Sequence, residues 1–416
     1  MDIQPINDEP VQRPCILITY PFALGHPNGG ARHCREIARH LGKLGANVLI
    51  LSVLAVGHSR YPRTRVLEEF IGLEFDRELS QWSVRVIRIP QHLLHWRLDG
   101  LPVKKALKKI LKQRRVDMVL SYFHEGAFLP RFLRSHRIKF GHIAAWQSYA
   151  LAFRGSEHEG RLKKFVRKWI DQYFIVKPHR QADILFANSR FTRNEVLHIM
   201  GVEEKRILVC PLGVEPSFTQ IPRSEPTEIT RFIFFGRFTP FKGIRDAIEA
   251  LGQLAAKGCK NWSYRVFGQG PQKWVQKLAH EHGIGDRVFV SGPLNDEGLR
   301  RELRQAHLAI LPSHAESFGL SIAEAQAAGI PVVAYECGSV PEVVENGVTA
   351  WLAPFRRVDR LAQCIETAVR DPKRTYEAGL AGREHVMQRF TWDKTAAKMF
   401  ESIETLCSNG AYRGAA

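Results

Sequence analysis

The chain has no apolar run able to cross a bilayer. Its longest, Val48 to Val56, is interrupted by Ser52 and falls far short of the roughly 20 residues that a spanning helix needs. Cys-x-x-Cys spacing is absent, and so is Asp-x-Asp. The seven cysteines are scattered and odd in number, which excludes a disulfide framework or a thiolate zinc site and points to a reducing compartment. Buried inert thiols are the reading for them, Cys34 and Cys337 beside glycine loops included. No His/Cys group has ligand spacing, and His280 with His282 reads as helix surface. The opening MDIQPINDEPVQRP lacks the basic start and apolar middle of a secretory signal, so a cytoplasmic protein is expected. Acid is also scarce: 42 Asp and Glu stand against 60 Lys and Arg, a net charge of +18. That excess favours an anionic partner such as nucleic acid, a phospholipid surface or a phosphorylated substrate.

What is present is the repeating signature of strand and helix. A length of 416 residues suits two domains rather than one core. Cys15 to Tyr20 reads as a strand, Asn28-Gly29-Gly30 as a turn, Ala31 to Leu44 as an amphipathic helix ended by Gly45, and Asn47 onward as a second strand. Glycines at a helix start let backbone amides approach an anion, although such a turn is equally a purely structural device. Trp82 to Pro90 alternates as a strand. Val116 to Tyr122 is another, leading into His124-Glu125-Gly126, where His124 stands just beyond the carboxyl end of a strand. Asp183 to Ala187 is a further strand, and Asn188-Ser189 resembles a helix cap.

Two segments of the first half carry lysine and arginine on one helical face. In Pro102 to Arg115, Val103, Ala106, Leu107, Ile110 and Leu111 oppose Lys104, Lys105, Lys108, Lys109, Lys112 and Arg115. In Arg161 to Phe174, Leu162, Phe165, Val166 and Trp169 oppose Arg161, Lys164, Arg167 and Lys168. Each alone reads as a solvated face. Together they favour an anionic membrane surface over nucleic acid, since no nucleic-acid-binding fold or stacking pattern accompanies them.

The second half repeats its unit more regularly. After a polar, proline-containing stretch around Gln220 to Thr230, the strand beginning at Arg231 ends at Gly236-Arg237, and a helix begins near Gly243. Arg237 and Lys242 bracket that loop, a pair suited to a diphosphate because Arg binds oxygens in a planar fork and Lys acts as a point charge. Strands follow at Tyr264 to Phe267, before Gly268-Gln269-Gly270-Pro271, and at Val288 to Ser291; a helix starts at Asp296. The stretch His307 to Gly347 then holds two glutamates eight positions apart, Glu316 and Glu324, among small and apolar residues. On one continuous helix that spacing would rise about 12 Å.

The order of these motifs, completed by PLGVEPSF and VPEVVENGVTAWL, resembles the group-1, family 4 retaining glycosyltransferases of the GT-B fold. The resemblance is close from about Ile207 to Arg389 and looser before. It implies an α/β chain of two Rossmann-like parallel-sheet domains facing a cleft, with the last helix crossing back to the first domain. The expected divisions are 1–206 for the acceptor domain, 207–230 for the linker, 231–390 for the nucleotide-sugar domain and 391–416 for the final helix and tail. It further implies a nucleotide diphosphate sugar as donor, transfer of a hexose-type sugar to a hydroxyl acceptor (a lipid-linked or polysaccharide intermediate among the candidates), and no cofactor or metal. Arg237 and Lys242, beside Gly236, would neutralise the diphosphate, assisted by amides near Phe318-Gly319-Leu320 and by those of Gly29 and Gly30. Glu316 would meet hydroxyls of the transferred sugar and Glu324 those of the ribose. His124 would face the donor sugar, with Glu125 the alternative polar group and Arg32 or His33 near acceptor or phosphate. Glu316 is not implied to be a nucleophile, unlike the carboxylate of a retaining glycosidase. A cytoplasmic enzyme, peripheral on the inner face of a membrane through segments 102–115 and 161–174, is the resulting expectation. Two other readings stay open: a GT-B-like sugar-nucleotide enzyme of epimerase type, and a non-catalytic basic protein binding lipid or nucleic acid.

Overall fold

A strand buried on both faces of a parallel sheet carries a continuous apolar run instead of an alternating one, and the strongest runs of this chain form strands where expected. All six residues of Cys15–Tyr20 (β1) are buried. The computed structural model describes residues 13–21, 24, 29–56, 83–90, 100–144, 165, 166 and 169–411. With β1, the strands Asn47–Val56 (β2), Ser83–Pro90 (β3), Met118–Ser121 (β4), Lys139–Ala144 (β5), Ile184–Ala187 (β6) and Ile207–Val209 (β7) form a seven-stranded sheet. Its order is β3-β2-β1-β4-β5-β6-β7. Arg231–Phe235 (β8), Ser263–Phe267 (β9), Val288–Ser291 (β10), Leu308–Ile310 (β11), Val332–Glu336 (β12) and Ala350–Pro354 (β13) form a six-stranded sheet in the order β10-β9-β8-β11-β12-β13. Neighbouring strands pair parallel in both.

In each sheet the strand order reverses once, between β1 and β4 and between β8 and β11. Loops leaving the carboxyl ends of such a pair diverge to opposite faces and open a crevice for ligand. The helix that starts at Gly29-Gly30, where a turn was expected, follows β1, His124 follows β4, the Arg237–Lys242 loop follows β8, and Glu316 follows β11. Every candidate site residue other than Glu324 and the helix-start residues therefore sits on a loop that leaves a switch-point strand.

The first domain is longer than expected. Ile207–Val209, at the start of the expected 207–230 linker, pairs with β6 as the seventh strand, so the chain leaves that sheet only after Val209. The crossing itself is tight. Val214 N–H donates to the Phe390 carbonyl at 2.9 Å, and the Thr395 hydroxyl donates to the Pro211 carbonyl at 2.5 Å. A Cβ on Gly213 would lie 2.1 Å from the Trp392 backbone nitrogen, so only glycine fits where the outgoing and returning chains pass. Helix Pro372–Arg389 ends there and helix Trp392–Ala411 returns to the first domain. It packs along helix Gly29–Lys43, with the Trp392 ring 5.7 Å from that of His33 and Asp393 3.4 Å from His40 Nε2.

Strand alternation distributes the core. Ile16, Ile18 and Tyr20 join an apolar mass that continues beneath the returning helix, through Met399 and Ile403, into the second domain. Cys15 and Leu17 face a separate core with Val103, Leu107 and Ile110 of helix Gly100–Leu111. All seven cysteines are free thiols. Burial pushes Cys34 and Cys337 up to about 12, which keeps both protonated and inert.

Candidate active site

The loop after β8 and the loop after β11 meet at an ion pair. Lys242 Nζ donates to Glu316 Oε1 at 2.5 Å, and the Ser313 hydroxyl donates to the same oxygen at 2.7 Å. The glutamate backbone is held as firmly: its carbonyl accepts from Ser339 N and from Ser339 Oγ, both at 3.1 Å. Gly338 has φ +54°, and a Cβ there would lie 2.5 Å from the Glu316 carbonyl oxygen. On the other side, Gly243 has φ +64° and its Cβ position falls 1.8 Å from the Pro312 carbonyl oxygen. Two glycines thus let backbone close in from both directions, and a 5% exposed carboxylate is presented rigidly beside a cation. Arg237, at the mouth of the same loop, is exposed, with no side-chain partner among the described residues.

Glu316 and Glu324 do not share a helix. The helix runs Leu320–Ala327 and begins after Gly319, whose φ is +89°. Glu316 therefore lies in the preceding loop, and the 12 Å helical separation expected from spacing alone does not apply. The apolar segment between them supplies the turn: Phe318 is buried, its ring 5.3 Å from that of Phe390, so only its backbone remains for a ligand. No side chain caps the helix start at Leu320, and uncapped first-turn amides suit an anion. Gly29, in the first turn of its own helix, faces this point across the cleft; a Cβ on it would meet Leu320 Cδ2 at 3.7 Å. Gly30 follows in the same turn.

Glu324 has a partner that spacing could not reveal. Arg32, on the first domain's glycine-turn helix, pairs through Nη1 with Glu324 Oε1 and through Nη2 with Asp296 Oδ1 at 2.7 Å. Burial holds the Glu324 carboxyl above its usual range while Arg32 draws it down, and Glu324 in turn strengthens the charge on Arg32. His33, the alternative to Arg32, points inward: it is 2% exposed, its Nδ1 lies 3.2 Å from the Tyr122 hydroxyl, and burial pushes it down to about 3. It is a neutral core residue. Glu125 is likewise structural, accepting from Thr19 Oγ1 at 3.2 Å, Tyr122 N at 2.7 Å and Phe123 N at 3.0 Å. His124 opens the short turn His124–Gly126 at the end of β4; its side chain, like Asn28 and residues 161–164, 167 and 168, lies outside the described residues.

Ser313 was not anticipated, yet the spacing Ser-x-x-Glu to Glu316 is the pattern of a capping pair and could have exposed it. A second unanticipated contact is Glu342, whose carboxylate accepts from Arg190 N at 2.8 Å and Phe191 N at 2.7 Å in the other domain. Glu36, four residues beyond Arg32 on the same helix, is held up to about 7, first by burial and then by Glu215, against the Arg39 guanidinium 2.6 Å away. A carboxyl whose folded pKa exceeds its unfolded value makes folding take up a proton, so stability falls as pH rises from about 4.5 to about 7. Glu36→Gln should accordingly raise the unfolding midpoint at pH 8 and leave it little changed at pH 5, as followed by thermal melts across pH.

Among the described residues, no group of three or more His, Cys, Asp or Glu is placed to hold a metal ion, and no helix is long and apolar enough to cross a membrane. Basic helix Gly100–Leu111 buries Val103, Leu107 and Ile110 and turns Lys105, Lys108 and Lys109 outward. Lys104 and Lys108 reach back over Phe132, 5.6 and 5.8 Å from its ring centre. On the apolar side of segment 161–174, the described Phe165, Val166 and Trp169 face outward, Phe165 70% and Trp169 66% exposed.

Comparison with known proteins agrees with this geometry. Residues 27–218 match the family described as Glycosyltransferase Family 4, and residues 219–385 match Glycosyl transferases group 1. The chain is 30% identical over 377 residues to the GDP-mannose-dependent alpha-(1-6)-phosphatidylinositol monomannoside mannosyltransferase of Mycobacterium tuberculosis, covering 84% of this chain and 91% of that protein. It is 27% identical over 390 residues to the MMP alpha-(1->4)-mannosyltransferase of Mycolicibacterium hassiacum, covering 90% and 93%. Among solved structures, the sucrose-phosphate synthase of Thermosynechococcus elongatus superposes with a TM-score of 0.75 at 19% identity, over 95% of this chain and all (100%) of that one. Anabaena HepE in complex with UDP and glucose gives 0.70 at 20% identity, over 94% and 100%. Two parallel sheets of doubly wound type, a returning terminal helix and these matches along the chain converge on one assignment: the protein belongs to the group 1, family 4 glycosyltransferases and has the GT-B fold.

Proposed function

We propose that the chain is a retaining transferase that moves a hexose-type sugar from a nucleotide diphosphate sugar to a hydroxyl acceptor, without a metal. The observation that carries this reading is the partly buried Lys242–Glu316 pair at the β8/β11 switch point, on the same loop as Arg237, which is exposed and has no side-chain partner among the described residues. Bond cleavage at the anomeric carbon builds negative charge on the departing diphosphate. Preorganised cations at that position stabilise the transition state more than the ground state. Lys242 and Arg237 supply the charge, and the uncapped amides at Leu320 with those of Gly29 and Gly30 supply dipoles. Glu316, fixed by Ser313 and Ser339, accepts hydrogen bonds from the sugar, and Glu324 from the ribose. His124 is assigned the sugar-facing position across the cleft. The relatives named for mannosyl transfer and the neighbour holding UDP and glucose support a nucleotide-sugar donor of this kind.

The test is donor turnover with and without a panel of hydroxyl acceptors, with EDTA present. Acceptor-dependent nucleoside diphosphate release and a product of unchanged anomeric configuration are expected. Turnover to an isomerised donor without acceptor would move the protein to the epimerase reading. Loss of activity in EDTA, restored by a divalent cation, would remove the metal-independent mechanism.

Phe165, Trp169 and Tyr173 are all exposed. The Trp169 and Tyr173 rings stack at 6.4 Å, and Lys177 Nζ lies 4.8 Å from the Tyr173 ring centre. Aromatic rings flanked by lysine and arginine suit the interface of an anionic bilayer, which supports a peripheral membrane location. Sedimentation with vesicles of anionic phospholipid should be salt-sensitive and should fall several-fold in Trp169→Ala and in a variant neutralising Lys105, Lys108 and Lys109. Equal partition to neutral vesicles, or none at low salt, would leave these faces simply solvated.

A further inference from the structure

Both domains and the returning chain surround a cavity of about 610 Å³ beside the crossing. The first domain contributes Arg190 and Arg193, and the returning segments contribute Arg389 and Lys398. The one carboxylate in its wall, Glu342, already accepts two backbone N–H groups. Arg193 is paired with Glu204, Arg389 stands 3.9 Å from Glu345, and Lys398 Nζ donates to the Val209 carbonyl at 2.8 Å. Arg190 is exposed and its guanidinium has no partner among the described residues. Asn188 is 4% exposed, lines the cavity and makes no side-chain hydrogen bond among the described residues.

We infer that this cavity binds the phosphate group of a small phosphorylated molecule. Arginines present planar forks that fit phosphate oxygens. Asn188 offers both a donor and an acceptor for an ester oxygen or neighbouring hydroxyl. The volume falls within the ordinary range for small-molecule sites. The site is separate from the Lys242–Glu316 pair but adjoins it. Phe318, in the cavity wall, is two residues beyond Glu316, and Thr192 Oγ1 donates to the Ser317 carbonyl at 3.3 Å. Because its walls come from both domains, a bound anion ties Arg190 to Arg389 and favours one arrangement of the domains over others. The phosphate has two possible sources with the same chemistry, a phosphorylated acceptor or a separate effector.

Calorimetric titration of the full chain tests this, with the donor cleft filled by UDP or GDP, whichever raises the melting temperature. Inorganic pyrophosphate and glucose 6-phosphate are the probes. Saturable binding of at least one is expected, weakened tenfold or more in Arg190→Ala/Arg389→Ala and unaffected by Lys242→Ala. Nucleotide binding retained by the double variant shows that it is folded, and Arg190→Glu, altered only at an exposed position, must reproduce the loss. Consumption of glucose 6-phosphate in transfer assigns the phosphate to the acceptor. A changed rate of donor hydrolysis without consumption assigns it to an effector. Absence of saturable binding, or binding lost in Lys242→Ala and kept in the double variant, overturns the inference.

Discussion

Lys242→Ala is expected to lower kcat/KM for sugar transfer by about 10²- to 10³-fold, the scale associated with removing one preorganised group that meets transition-state charge. It should also destabilise the fold. Lys242 and Glu316 side chains are only 17% and 7% exposed, and deleting one partner of such a pair leaves the other charged in a poorly solvated site, at a cost of about 3–5 kcal/mol. Ser313 still donates to Glu316, which places the loss at the lower end. The two effects can be separated. Lys242→Ala combined with Glu316→Gln removes the orphaned charge, so stability should return towards wild type in denaturant titration while transfer stays lost. Wild-type turnover in Lys242→Ala, or recovery of activity with stability in the pair, would end the assignment of these residues.

Gly243→Ala should rank among the most damaging single-methyl additions in the chain. The new Cβ would start 1.8 Å from the Pro312 carbonyl oxygen, at a φ of +64°. The left-handed conformation alone costs about 1–2 kcal/mol for a residue with a Cβ. Overlap with a backbone oxygen cannot be relieved by turning a side chain, so the Pro240–Lys242 turn must back away from the end of β11. A total near 4 kcal/mol or more, in the range reserved for severe defects, should accompany loss of transfer, because Lys242 moves with the turn. Gly347→Ala is the control: its φ is +80°, but nothing lies within 4 Å of the added methyl. It should cost only the conformational part, about 1–2 kcal/mol, and keep activity. Equal unfolding midpoints for the two variants would contradict the steric argument.

Much of this architecture is legible in the linear chain because parallel strands advertise themselves. CILITY is a strand over its full predicted length, and NVLILSVLAV and SVRVIRIP follow as β2 and β3. Ser189 caps its helix as its residue type suggests, accepting from Thr192 N at 3.0 Å. Strand β7 was assigned to the linker because only three residues pair before Cys210-Pro211-Leu212-Gly213, and nothing local says which sheet they join. The loop cations and Glu316 could be identified as a set, but their contact spans 74 residues and depends on two glycines that admit backbone. The partners of Glu324 were beyond reach for a different reason. Arg32 is 292 residues away in another domain, and periodicity within one element contains nothing about how two domains face each other.

That cross-cleft bridge changes how donor arrival should be pictured on the proposed reading. Glu316 and Glu324 each pair with a cation, one from the same domain and one from the opposite domain. On the proposed reading, a nucleotide sugar would compete with these cations for the two carboxylates. Its ribose hydroxyls would take the place of the Arg32 guanidinium at Glu324, and the freed guanidinium would lie on the helix that begins at Gly29, whose first amides are proposed to meet the diphosphate. Salt that loosens the Arg32 bridge also weakens attraction of Arg237 for the diphosphate, and the two influences oppose each other. Donor affinity should thus depend less on ionic strength than a net charge of +18 would suggest, and the two domains would trade one tie for another as the cleft fills.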